Sequence, residues 1–171
     1  MKKTIIVLSL LLFCTVQGMA QSDAISKYFS KYVDDPQFTV VHISGKMFEL
    51  ISELPDDDED RDLKRQIDNL KGLRILSADS VNGVRLYKEI YTKLNVSGYE
   101  ELMIVREGDQ EFKFLIKEKN RVISELLMLS GQKDSFFMLS LIGTIDLKSI
   151  SKLSKAVKID GLEKLEGIDE R

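Results

Sequence analysis

The sequence predicts an α+β fold: a two-layer sandwich, with helices on one face of a mixed or antiparallel sheet that ends in a four-strand meander. Three observations carry that expectation. As far as Leu94, apolar side chains recur at helical spacing, interrupted by short β-branched runs. From Tyr99 onward the period drops to two, as in half-buried strands. Turn-forming stretches then punctuate the chain at Glu107-Gly108-Asp109-Gln110, Lys119-Asn120 and Gly131-Gln132-Lys133-Asp134. No repeat of fixed period is present.

Taken in order, Ile25, Tyr28, Phe29 and Tyr32 stand at i, i+3, i+4 and i+7, which predicts a helix over 22–33. Ser22 or Asp23 caps it and Asp34-Asp35-Pro36 ends it. The β-branched run Phe38 to Ile43 reads as a strand buried on both faces. After the Ser44-Gly45 turn, Met47, Leu50, Ile51 and Leu54 mark the inner face of a helix stopped before Pro55. An acidic run leads into a third helix over 61–71, with Leu63, Ile67 and Leu70 on one side and Lys71-Gly72 at its end. Leu73 to Leu76 is a short strand. Asp79 or Ser80 then caps a helix with Val84, Tyr87, Ile90, Tyr91 and Leu94 inward, weakened near its start by Gly83. The meander strands are 101–106, 111–117, 121–130 and 135–142, and in the second of them Phe112, Phe114 and Ile116 face one way. A last helix near Asp146 turns Leu147, Ile150 and Leu153 inward, and 159–171 is a frayed tail.

At 171 residues, with 43% hydrophobic and 31% charged side chains, the chain makes one domain with a real core and is no disordered polymer. Its first residues have the order of an export signal: Lys2 and Lys3, an apolar run from Ile5 to Val16, then Gly18-Met19-Ala20. The apolar run is shorter than the roughly 20 residues that span a bilayer. The expected organisation is a signal peptide over 1–20, one α+β domain over 21–158 and the tail over 159–171. Cys14 follows bulky Phe13, where a lipoprotein peptidase prefers a small residue, so lipid anchoring at Cys14 is disfavoured against cleavage after Ala20. The product would be periplasmic or secreted, without cysteine, and with 23 basic against 28 acidic side chains. A thiol-free chain builds no disulfide, thiol nucleophile or Cys-ligated metal site. Net acidity argues against nucleic acid as a partner.

Few residues qualify for chemistry. His42 is the lone imidazole, too few for a His-based zinc set, and is expected as a hydrogen-bonded structural histidine inside its strand. Asp56, Asp58, Asp60 and Asp62 alternate like a calcium loop, but the sixth and twelfth positions hold Arg61 and Ile67 where that loop needs Gly and Glu. The run is therefore expected as a solvated helix start. Glu100, Glu101, Glu111 and Glu125 lie on predicted strands, where a pair on adjacent strands would suit glycoside hydrolysis. No Walker A, G-x-G-x-x-G, G-x-S-x-G or H-E-x-x-H occurs. No catalytic, cofactor-binding or metal-binding residue is assigned, and no cofactor is expected. Leu115, Leu127, Leu129 and Leu139 are expected either on a sheet face away from the helices, as a partner surface, or covered.

The segment D-A-I-S-K-Y-F-S-K-Y-V-D-D-P-Q-F-T-V-V-H-I-S-G-K-M-F-E-L (Asp23 to Leu50) resembles the start of the DUF4252 family of uncharacterised exported Bacteroidetes proteins. The I-x-x-Y-F-x-K-Y, F-T-V-V and K-M-F pieces carry most of the likeness, which extends more loosely over most of the mature chain. The M-A-Q at the end of the signal is similar to that phylum's. The resemblance brings no catalytic residue. It implies an envelope or stress-response accessory role, since members lie near extracytoplasmic sigma-factor genes and some are lipoproteins; Phe13-Cys14 departs from those lipoproteins. The expected function is an exported, non-enzymatic module that binds an envelope protein through its sheet or an edge strand. The alternatives are a carboxylate-dependent hydrolase, with or without a cation, and a self-associating structural protein.

Overall fold

The helical stripe near the N-terminus folds as its spacing requires. In the computed structural model, which describes residues 23–53, 64, 67–94, 98–108 and 110–146, α1 (Asp23–Tyr32) buries Ile25, Tyr28, Phe29 and Tyr32 together. The chain continues through β1 (Thr39–Ser44), α2 (Gly45–Ser52), β2 (Leu70–Asp79), α3 (Gly83–Lys93), β3 (Glu100–Glu107), β4 (Gln110–Lys119), β5 (Val122–Gly131) and β6 (Ser135–Ile145). Among the described residues the strands form one sheet in the order β1-β2-β6-β5-β4-β3, antiparallel throughout. Strands β3 to β6 are the predicted meander. The β4–β5 hairpin closes through Asn120 and Arg121, both at positive φ, in the mirror-image turn geometry that suits twisted strands.

Successive side chains along a strand point to opposite faces, and this sheet carries a core on each. Leu115, Leu127, Leu129 and Met138 lie under α1 and α3 with Leu86, Ile90 and Leu94. Phe112, Phe114, Leu126, Met128, Leu139 and Leu141 lie on the other side, with Phe48 of α2. The expected one-sided helical layer is thus corrected: α2 packs opposite α1 and α3. The strands are apolar on alternate and intervening positions alike because both faces are covered. For the same reason the four meander leucines make no exposed patch. Leu115, Leu127 and Leu129 face the α1–α3 layer, Leu139 faces the other way, and all are buried.

Several local expectations are corrected. Residues 70–72 are strand, not the end of a helix, because Leu70 and Gly72 pair with Gly143 and Ile142 of β6. β2 is accordingly ten residues long. Helix α3 is capped by Asn82, whose side-chain oxygen accepts from the Arg85 N–H at 2.9 Å, rather than by Asp79 or Ser80. Its inner face takes Leu86 and leaves Val84 exposed. Gly83 is required rather than weak: a Cβ there would stand 1.6 Å from the Ser135 carbonyl oxygen. Val84 N–H donates to the Gln132 carbonyl and Val81 N–H to that of Asp134, which seats the helix start on the β5–β6 turn. In α2 the buried anchor is Phe48; Met47 and Leu50 are exposed and Ile51 is half-buried. β1 is no doubly buried strand but an edge. The export signal, the acidic run 56–62, most of the helix expected over 61–71, the last helix and the tail lie outside the described residues.

Candidate functional site

His42 stands on edge strand β1, exposed rather than enclosed, with its ring meeting Phe29 edge-on at 6.3 Å between centroids. Of the four strand carboxylates, Glu101, Glu111 and Glu125 each bind a cationic side chain. Glu111 accepts from Arg106 Nε at 3.2 Å and from the Tyr87 hydroxyl at 3.1 Å. The guanidinium first, then the tyrosine, holds it below the ordinary carboxylate value of 4.5. Glu101 pairs with Lys113 at 2.8 Å, whose ammonium also lies over the Tyr91 ring. Glu100 is exposed opposite Ile116. Glu125 is buried, accepting from Ser140 Oγ at 2.9 Å and Lys117 Nζ at 3.3 Å. Because Glu125 lies opposite Lys117, it is offset from Glu111 by six residues of β4, roughly 20 Å at about 3.3 Å per residue. That is far beyond the separations of about 5 to 9.5 Å used in glycoside hydrolysis. Among the described residues no three His, Cys, Asp or Glu side chains gather as a metal set.

The cluster around Glu125 is a piece of architecture. Register shifts between Lys117 and Glu118 and between Ile123 and Glu125 mark irregularities on either side of it. Lys117 lies over the Tyr99 ring at 4.6 Å, and the Tyr99 phenol is pushed upward by burial and then by the Glu125 charge. It stays neutral at any physiological pH. The carboxylate is satisfied from two sides and closed to solvent, as a buried charge must be.

The two edges of the sheet supply the strongest candidate surface. β1 reads Thr-Val-Val-His-Ile-Ser, pairs among the described residues with β2 alone, and carries no carboxylate, lysine or arginine. Val41 is 36% exposed, and Ile43, two residues on and therefore on the same face, joins the core on the α2 side. Directly after β1, α2 is rooted by Phe48 and turns Met47 and Leu50 outward, 51% and 49% exposed. An unpaired, uncharged, β-branched edge with apolar side chains beside it is a template for another strand. Sequence reading missed this surface because a continuous β-branched run signals burial as readily as it signals an unprotected edge.

Two clefts open at the turn end of the sheet. The first, about 360 Å³, lies between the start of α3 and the β3–β4 hairpin, and its polar groups Tyr87, Arg106 and Glu111 are already bonded to one another. The second, about 230 Å³, includes Ser77, Asp79, Gln110, Phe112, Ser130 and Phe137 in its lining. In it the buried Ser130 hydroxyl has no hydrogen-bond partner among the described residues.

A small α+β domain with a continuous antiparallel sheet, helices on both faces and one unguarded edge is the class that this geometry defines. Residues 29–153 match the model of DUF4252, a domain of unknown function, and the chain belongs to that family. No curated protein and no solved structure matches it. Among the described residues no helix is long and apolar enough to cross a membrane.

Proposed function

We propose that this chain is an exported, non-enzymatic binding module that takes an extended segment of an envelope protein onto edge strand β1. The carrying observation is the composition of that edge, six residues without a charge beside the exposed Met47 and Leu50. Main-chain hydrogen bonds along β1 give affinity, and Val41 with the outer side chains of α2 gives selectivity. The order of charge, apolar run and small residues over 1–20 supports export, with cleavage after Ala20 and release to the periplasm or beyond. An accessory role in the envelope or its stress response fits such a module. The spread of the strand carboxylates, with Glu101, Glu111 and Glu125 each on a cation, weighs against a hydrolase built on them.

The test is site-directed photocrosslinking in the native envelope, with a photoreactive residue replacing Val41 or, as control, Ile104 on the opposite edge. A discrete adduct from the Val41 position, absent from the Ile104 position, supports the reading, and its mass identifies the partner. An adduct containing only a second copy of this chain replaces it with self-association. No adduct, together with turnover on a glycan or peptide panel, overturns it.

A further inference from the structure

We propose that the cleft around Ser130 binds a neutral sugar, one pyranose ring at a time. Strand register builds the site. Ser77 lies opposite Phe137, Phe137 opposite Ser130, and Ser130 opposite Phe112. Directly opposed residues in antiparallel strands share a face, so hydroxyl, phenyl, hydroxyl and phenyl alternate along one rung across β2, β6, β5 and β4. One step further toward the turns, Asp79 lies opposite Ser135, and Gln110 precedes Phe112 by two on the same face.

This arrangement carries an unmet demand. Ser130 is 3% exposed, lines the cleft, and its Oγ has no partner. An unpaired buried hydroxyl costs roughly 1–3 kcal/mol, and native structures seldom keep one without a reason. Phe137, half-buried, offers apolar surface beside that hydroxyl, and Phe112 lies buried in the core on its other side. A pyranose has the matching faces: C–H groups for the Phe137 ring, and ring hydroxyls that both donate and accept for Ser130, Ser77 and the Gln110 amide. The Asp79 carboxylate stands exposed at the rim, and no lysine or arginine is among the described lining residues, so the cleft disfavours phosphates and acidic sugars. About 230 Å³ suits a single ring, below the roughly 300 Å³ where drug-sized sites begin. The site is separate from the β1 edge, so each proposal fails or stands alone.

The experiment is amide chemical-shift titration of the isotope-labelled chain with D-glucose, D-galactose and N-acetyl-D-glucosamine, each to about 50 mM, since one small ring implies millimolar affinity. Saturable shifts are expected at Ser77, Ser130, Gln132 and Ser135 with at least one sugar, weakened at least tenfold in Ser130→Val. That variant should melt no lower than the parent, because it removes an unpaired buried hydroxyl. Ser77→Ala, at a half-buried position, gives the same loss if Ser130→Val folds poorly. Absence of saturable shifts with all three sugars overturns the proposal. So does binding undiminished in both variants, or stronger binding of glucose 6-phosphate than of glucose.

Discussion

Strand β3 closes one side of the sheet with Glu100, Glu101, Arg106 and Glu107, an irregular register between Glu101 and Met103, and ion pairs reaching β4. Strand β1 closes the other side with no charge at all, and the segment that follows it leaves Met47 and Leu50 in solvent. Charge and irregular pairing are the usual means by which an edge refuses further strands. This protein applies both to β3 and neither to β1, which is the contrast on which the proposed docking of a partner strand at β1 rests. It also separates two ways of holding an edge: β3 by polar ties to its neighbour, β1 by the apolar rooting of α2.

Replacing Phe48 by alanine attacks the second way and should have the largest effect. It empties a buried site shared with Leu70, Leu73 and Leu141, for a loss of about 3–5 kcal/mol in chemical denaturation. Amide exchange should accelerate in β1 before β3; equal acceleration at both edges would contradict separate anchoring. Tyr87→Phe attacks the first way. It removes the hydroxyl bond to Glu111 and should cost about 0.5–1.5 kcal/mol, with exchange rising around the β3–β4 hairpin instead.

Acid sharpens the contrast. Glu111 is held below 4.5 by Arg106, so its contribution is complete above that value and is lost as pH falls through its folded value. Glu89 is held down in the same direction by Lys93 and Lys31. β1 carries no carboxylate, so acidification should loosen β3 and α3 first, as read by exchange or by intensity loss in spectra; loosening of β1 first would sink the comparison. At the other extreme, burial pushes Tyr87 up to about 12, and Tyr28 moves upward for the same cause. The protonated phenols favour the folded state, so stability should decline as pH rises from 10 toward 12, measured by denaturant midpoints.

The smallest effect on stability belongs to the edge residues themselves. Val41→Lys and Ile104→Lys both change exposed positions and should move stability by no more than about 0.5 kcal/mol. Only Val41→Lys should abolish the proposed capture of a partner strand, read as loss of the crosslinked adduct.

The residues of α1 declare themselves in the sequence because a helix buries a stripe set by its own period. All four members of that stripe are buried as expected. The meander is legible for a similar reason: its turns are short and chemically marked. What is not legible is what depends on neighbours. Phe38 to Ile43 looks like an interior strand, yet strand order places β1 at an edge, and nothing within those six residues encodes that order. Phe48 and Met47 are both apolar on a short helix; which one is buried depends on the sheet beneath. The 70–72 segment carries a helical spacing that the pairing of nine β2 residues with β6 overrides. The Ser130 cleft was out of reach altogether, since its rung joins residues from four strands through a register that no single strand reveals.

The placement of β6 governs how this chain can mature. Among the described residues it is the last strand of the sheet in sequence, yet it lies between β2 and β5 and joins the N-terminal pair to the meander. Until residues near 145 have been synthesised and, for an exported chain, have emerged from the translocation channel, the β1–β2 pair has no sheet to join, and the N–H and C=O groups that β2 turns to β6 wait unpaired. A chaperone that shields β2 during this interval would act on the step that decides between assembly and aggregation.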